Sequence, residues 1–146
     1  MALGLLGKSP RIVAVSYGAP SGILPVSVVI LDGHREARLA LAAAFGRDAD
    51  FALLGGTEDT AEALQLCARF QPQIVLVDSR TVYKALETCR TVLERSPHSQ
   101  IVLLSTFFDP GEQRRYEDAG ASACYLKSEP FRVLATRLKS LVGLLE

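Results

Sequence analysis

Short apolar runs alternate along this chain with longer segments that carry apolar residues at helical spacing. Residues 26–31 read VSVVIL, a β-branched run that is too short for a buried helix and therefore predicts a buried strand. Four further runs of the same kind predict strands at 50–56, 73–78, 100–105 and 122–126.

The segments between these runs predict helices. The first covers 34–46, with a stripe at Ala37, Leu41, Ala44 and Phe45 and with Gly46 as a C-cap. The second is predicted to start from Thr57 as N-cap and to bury the stripe Ala61, Leu64 and Ala68.

Three more helices complete the pattern. Asp109 followed by Pro110 is typical of an N-cap and a first helical position. The last helix is expected to begin at Ser128 or Glu129. The core positions of the third and last helices are predicted to be Ala85, Leu86, Cys89, Val92 and Leu93, then Phe131, Leu134, Leu138, Leu141, Val142 and Leu145.

Five strand–helix units in this order predict an α/β fold with a doubly wound parallel sheet, strand order 2-1-3-4-5, and helices on both faces. Residues 26–146 are expected to form this single domain. Residues 1–25 contain Gly18, Pro20, Gly22 and Pro25, and we interpret them as an N-terminal tail or linker.

Composition narrows the class of protein. The chain has 146 residues, with 16 basic and 16 acidic side chains, which argues against direct nucleic-acid binding by this segment. No apolar run is long enough to span a membrane, and three cysteines without CxxC spacing fit a reducing cytoplasm better than a disulfide framework or a zinc site.

Functional residues of such sheets lie at the carboxyl ends of the strands. The predicted strands end at Asp32, Asp78, Ser105 and Lys127, which should therefore meet at one edge. Asp78 has the chemistry of a nucleophile toward a phosphoryl group, and Asp32 that of a ligand for a hard divalent cation. Ser105 and Lys127 can donate to phosphoryl oxygens. Taken singly, each has an ordinary structural explanation; Asp32, for example, could simply cap the following helix.

The stretches VVILDGH, IVLVD, IVLLST and AGASACYLK resemble the receiver domain of two-component response regulators, most closely in wording those that precede a LuxR-type helix-turn-helix. The resemblance covers about residues 26–142. It implies that Asp78 is the phosphoacceptor and that Ser105 and Lys127 contact the phosphoryl group. It also implies that Asp32, Asp78 and the backbone carbonyl of Arg80 are ligands for Mg²⁺.

The sequence departs from the family at three places. Gly33 stands where the second acid of the family's pair contacts the metal, so Mg²⁺ binding is expected to be weak or absent and Gly33→Asp to strengthen it. The loop after Asp78 lacks the usual Met-Pro and Asp-Gly. Cys124 occupies the position of the switch aromatic, and Tyr125 is expected to point to the opposite face.

Three functions remain open from the sequence. The first is a phospho-accepting receiver, and the second is an atypical receiver that acts by protein contact without phosphorylation. The third is a small ligand-binding domain, since Asp32-Gly33-His34 resembles the D-x-H-x-x-G motif of cobalamin-binding domains, although Ala37 replaces its glycine. None of the three is an enzyme beyond self-phosphorylation and self-dephosphorylation at Asp78.

The resemblance implies a sensor histidine kinase or another signalling protein as partner. A homodimer is also expected, through helix 4, strand 5 and helix 5, and it should persist without a phosphodonor. That region contains four aromatic residues and several charges of both signs: Phe107, Phe108, Tyr116, Tyr125, Arg114, Arg115, Glu117 and Asp118.

Overall fold

A computed structural model describes residues 24–144 of the chain. Strands and helices alternate throughout that range. The strands are β1 Val26–Leu31, β2 Phe51–Thr57, β3 Ile74–Asp78, β4 Gln100–Ser105 and β5 Ala123–Leu126. The helices are α1 Arg35–Gly46, α2 Thr60–Phe70, α3 Ala85–Arg95, α4 Pro110–Asp118 and α5 Phe131–Leu141. The predicted tail, residues 1–25, lies almost wholly outside the described residues, and so does Leu145.

The five strands form one parallel sheet in the order β2-β1-β3-β4-β5, so the predicted topology is confirmed. The sheet separates two apolar cores because successive side chains of a strand point to opposite faces. One core lies under α2, α3 and α4 and contains Val75, Val77 and Leu103. The other lies under α1 and α5 and contains Ile74, Leu76 and Leu104. Among the described residues, no helix is long and apolar enough to cross a membrane.

The start of α2 differs from the prediction. Asp59 caps this helix, and its carboxylate accepts hydrogen bonds from the backbone N–H of Ala61 (2.8 Å) and Glu62 (3.3 Å). Thr57 is the last residue of β2 and pairs with Leu31, so its backbone belongs to the sheet rather than to the helix end.

The buried face of α2 also differs. Ala63, Leu66 and Cys67 face the core, whereas Ala61 and Ala68 are exposed and Leu64 is half-buried. Both stripes are apolar, and the helix turns its bulkier one toward the sheet because that buries more apolar surface.

The start of α5 and the end of α1 also differ from the predictions. α5 begins at Phe131 rather than at Ser128 or Glu129, because Pro130 has no N–H and disfavours helical backbone at the residue before it. Gly46 is the last residue of α1 and not its cap, and Arg47 closes the helix in right-handed backbone geometry. The predicted Asp109 cap and Pro110 start of α4 are confirmed.

Candidate functional site

The four residues singled out at the strand ends lie at the same edge of the sheet. Asp32 follows β1, Asp78 ends β3, Ser105 ends β4 and Lys127 follows β5. Parallel strands present their carboxyl ends on one side, which brings the four together. Asp32, Asp78 and Ser105 are at most 2% exposed, so their polar groups must be satisfied inside the protein.

Lys127 joins the two buried carboxylates. Its Nζ lies 2.9 Å from Oδ2 of Asp32 and also donates to Oδ2 of Asp78. Burial lowers the pKa of Lys127, but hydrogen bonds from its ammonium to Asp78 and Asp32 and the charges of both carboxylates outweigh that effect. The net result is a pKa above the ordinary value for lysine. Lys127 therefore remains a cation between two anions.

The other oxygen of each carboxylate is held by the chain that follows its strand. Oδ1 of Asp32 accepts from the backbone N–H of His34 (2.8 Å) and from Oγ1 of Thr81 (3.2 Å). Oδ1 of Asp78 accepts from the backbone N–H of Arg80 (2.7 Å) and of Thr81 (3.2 Å). These turn-type bonds fix both carboxylates before any ligand arrives.

Asp32 does not cap α1. That cap is His34, whose Nδ1 accepts from the backbone N–H of Ala37 at 3.1 Å. Nδ1 of His34, the histidine of the cobalamin-like motif, is therefore already used in a hydrogen bond at the start of α1. The carboxylate of Asp32 is turned instead toward Lys127.

Ser105 stands in the pocket with its hydroxyl turned toward the β4–α4 loop. Its Oγ donates to the carbonyl oxygen of Phe107 (2.9 Å) and accepts from the N–H of Phe107 (3.2 Å). It also accepts from Nε of Arg80 at 3.0 Å. The hydroxyl at the end of β4, the strand beside β3, thus makes its hydrogen bonds to the loop and to Arg80.

The guanidinium of Arg80 also contacts the site through Ser105, which the sequence did not reveal. Only the backbone carbonyl of this residue was expected in the site. Its side chain crosses from the end of β3 to the start of α4, where Nη2 lies 3.2 Å from Oε1 of Glu112. The available signal was an arginine two residues after the strand-end aspartate, but nothing in the sequence gave its direction.

A Mg²⁺ ion would have two carboxylates here, those of Asp32 and Asp78. Among residues 24–144, no group of three or more His, Cys, Asp and Glu side chains is arranged to hold a metal. Mg²⁺ is often held by one or two carboxylates together with water, so the donors fit it. Both are already neutralised in part by Lys127, which is consistent with weak binding.

Gly33 is packed directly against Thr81. The N–H of Gly33 donates to Oγ1 of Thr81 at 2.8 Å. A Cβ at position 33 would lie 3.0 Å from both Cβ and the carbonyl oxygen of Thr81. Any side chain at position 33 would therefore need the loop after β3 to shift.

Cys124 and Tyr125 lie on opposite faces of the sheet, as predicted. Cys124 packs against the core under α2, α3 and α4, and Tyr125 against the core under α1 and α5. The guanidinium of Arg137 lies 5.0 Å from the centre of the Tyr125 ring. Tyr125 is thus held by α5 and faces away from α4.

The aromatic residues near α4 differ in their exposure and do not form one exposed surface. Tyr116 is buried and meets the half-buried Phe108 edge to face at 6.4 Å between ring centres. Phe107 is 62% exposed. Of the four aromatic residues expected in the dimer region, Phe107 is thus the exposed one.

The fold is that of response-regulator receiver domains. A response regulator from Thermotoga maritima matches with a TM-score of 0.73 and 25% identity over 82% of this chain and 99% of that one. A LuxR-family DNA-binding response regulator from Staphylococcus aureus matches with a TM-score of 0.72 and 20% identity, over 80% and 98%. A chain in the complex of the P1 domain of CheA3 with CheY6 from R. sphaeroides matches with a TM-score of 0.69 and 23% identity, over 82% of this chain and 98% of that one.

Curated sequences agree with the structural matches. The transcriptional regulatory protein LiaR of Bacillus subtilis (strain 168) is 22% identical over 116 residues, which are 79% of this chain and 55% of LiaR. The chain spans about half the length of the curated relatives it matches. No protein-family model matches the sequence. The predicted resemblance to response-regulator receivers is thus confirmed.

Proposed function

We propose that residues 26–146 are a signalling receiver domain that accepts a phosphoryl group on Asp78 and thereby changes its contacts with other proteins. The observation that carries the proposal is the position of Lys127. Its ammonium contacts the carboxylates of both Asp32 and Asp78 at the carboxyl edge of the sheet. A buried carboxylate beside a fixed cation is suited to forming and holding an acyl phosphate.

The step requires one bond to form and one to break. A carboxylate oxygen of Asp78 attacks the phosphorus of a phosphodonor, and the bond from phosphorus to the donor's leaving nitrogen or oxygen breaks. The leaving group takes the electron pair and then a proton. Lys127 neutralises the phosphoryl oxygens, and Ser105 donates to one of them after turning from Phe107. Mg²⁺, held by Asp32, Asp78 and the carbonyl of Arg80, would supply further neutralisation of negative charge.

Treatment with acetyl phosphate and Mg²⁺ tests the proposal. Intact-mass spectrometry of the full chain should show one phosphoryl adduct, which Asp78→Asn abolishes. Asp118→Asn, which changes an exposed aspartate of α4, is the matched control and should leave the adduct unchanged. Equal labelling of the wild type and Asp78→Asn, or no labelling of either, would refute phosphorylation at Asp78.

The alternative is a receiver that acts by protein contact without phosphorylation. Two contacts favour it: Lys127 already occupies the space between the carboxylates, and Arg80 holds the Ser105 hydroxyl. In that case beryllofluoride, a phosphoryl mimic, should leave the amide spectrum of the ¹⁵N-labelled protein unchanged even with Mg²⁺ present. Asp78→Asn should then retain whatever partner binding the wild type has.

The remaining features of the proposal concern partners. By analogy with its relatives, the chain is proposed to work with a sensor histidine kinase, in the cytoplasm, as part of a transcription-regulating system. We also propose homodimers through α4, β5 and α5, where Phe107 and Leu126 are exposed. Sedimentation of untreated protein at ~100 μM should show the dimer. Dimers that appear only with beryllofluoride would instead indicate an ordinary phospho-dependent switch.

A further inference from the structure

The guanidinium of Arg80 forms hydrogen bonds to three parts of the molecule that lie between the Asp78 pocket and α4. Its Nε donates to Oγ of Ser105 at 3.0 Å. Its Nη2 donates to the carbonyl oxygen of Phe107 at 2.6 Å and to Oε1 of Glu112 at 3.2 Å. One side chain therefore holds the end of β4, the β4–α4 loop and the first turn of α4.

The backbone of Arg80 is fixed to the proposed phosphoacceptor. Its N–H donates to Oδ1 of Asp78 at 2.7 Å, and the following turn is closed by a bond from the N–H of Val82 to the carbonyl oxygen of Asp78. A change in the charge or position of the Asp78 carboxylate therefore acts first on the residue whose side chain reaches α4.

We infer that Arg80 is a positioning residue that relays the occupancy of the Asp78 pocket to α4. A phosphoryl group on Asp78 brings new negative oxygens within reach of the guanidinium and offers the Ser105 hydroxyl a new acceptor. The guanidinium then divides its donors between that anion and Glu112, and the loop at Phe107 loses the bond from Ser105. The relay rests on the proposed phosphorylation of Asp78.

Two observations favour a relay over an ordinary surface ion pair. The Arg80 side chain is 46% exposed, but that of Glu112 is only 15% exposed, so this glutamate depends on its cation more than an exposed glutamate would. The second observation is that Cys124 stands at the position of the switch aromatic and faces the α4 side of the sheet, whereas Tyr125 packs against the α1 and α5 side. Arg80 supplies a route along the same edge.

Amide spectra of the ¹⁵N-labelled full chain, with beryllofluoride and Mg²⁺ as the probe, test the relay. In the wild type, amides of residues 79–82 and of α4 should both shift. In Arg80→Ala the 79–82 shifts should remain and the α4 shifts should be lost. Glu112→Gln should weaken the α4 shifts. Arg90→Ala, which changes an exposed arginine of α3 outside the proposed dimer surface, should behave as the wild type.

Hydrogen exchange without any probe provides a second readout. Amides of α4 should exchange roughly two- to fivefold faster in Arg80→Ala and Glu112→Gln than in the wild type or Arg90→Ala. Unchanged α4 shifts in Arg80→Ala, or unchanged exchange in both variants, would overturn the relay alone. The absence of any shift at residues 79–82 in the wild type would instead refute the phosphorylation proposal and the relay with it.

Discussion

Replacing Lys127 with methionine removes the ammonium between two buried carboxylates while keeping a side chain of similar length. The carboxylates of Asp32 and Asp78 are each 2% exposed, so water cannot take over the role of the ammonium. We expect the variant to be clearly less stable than the wild type, because two like charges would face each other in a site of low polarity.

The size of the effect follows from the geometry. At 2.9 Å and an effective dielectric constant of about 20, one such pair attracts by about 6 kcal/mol before the cost of burying the charges. Removing one partner of a buried pair usually costs about 3–5 kcal/mol in unfolding free energy. The Lys127 side chain is 18% exposed, so we expect a loss of about 2–4 kcal/mol.

Urea denaturation at neutral pH measures this loss. Lys139→Met is the matched control, because Lys139 pairs with Asp50, whose side chain is 55% exposed, and should lose at most about 1 kcal/mol. Adding Asp78→Asn to Lys127→Met should restore part of the stability, since it removes one of the uncompensated charges. Equal unfolding free energies for Lys127→Met and Lys139→Met would refute the reasoning.

Two further variants or conditions test the same structure. Gly33→Asp should bind Mg²⁺ about tenfold more tightly because it adds a carboxylate, and Mg²⁺ titration checks this. Its free energy of unfolding should be about 1–2 kcal/mol lower than that of the wild type, because its Cβ would lie 3.0 Å from Thr81. Urea denaturation measures that loss, and a variant as stable as the wild type would contradict the packing argument. Burial raises the pKa of Cys67 and of Cys89 to about 12, so both thiols stay protonated in the folded chain while the unfolded chain loses those protons near pH 9. The free energy of unfolding should therefore fall above pH 9, by about 1 kcal/mol per pH unit for each thiol. The raised pKa of Lys127 adds a further loss above the unfolded value of 10.5. A urea midpoint that does not change between pH 8 and 10.5, or a pH dependence in Cys89→Ala as steep as in the wild type, would contradict this prediction.

The sheet could be predicted from the sequence because its strands are buried on both faces. Runs such as residues 26–31 are apolar at nearly every position, and burial on both sides requires that. The order of the strands followed from chain connectivity, and the gathering of Asp32, Asp78, Ser105 and Lys127 followed from their places at the strand ends.

Helix ends and side-chain directions could not be predicted in the same way. Thr57 and Asp59 are both good capping residues, and only the pairing of Thr57 with β1 decides between them. The reach of Arg80 depends on the turn after β3 and on where α4 begins, which are set by packing rather than by local sequence. The same holds for the contact between Thr81 and Gly33.

A glycine rather than an acid at position 33 sets the charge balance of the pocket. Asp32 and Asp78 carry two negative charges and Lys127 returns one, so the contacting groups leave a formal charge of −1. A third carboxylate would make it −2 and match a divalent cation. With Gly33 the match is poorer, and the guanidinium of Arg80, bound to Ser105 at 3.0 Å, adds a further cation at the rim. Such a pocket attracts a divalent cation less strongly, and repels an added anion less strongly, than a pocket with three carboxylates, because its net negative charge is smaller. If Asp78 is phosphorylated, Arg80 and Lys127 therefore carry part of the neutralisation that Mg²⁺ supplies when a third acid is present.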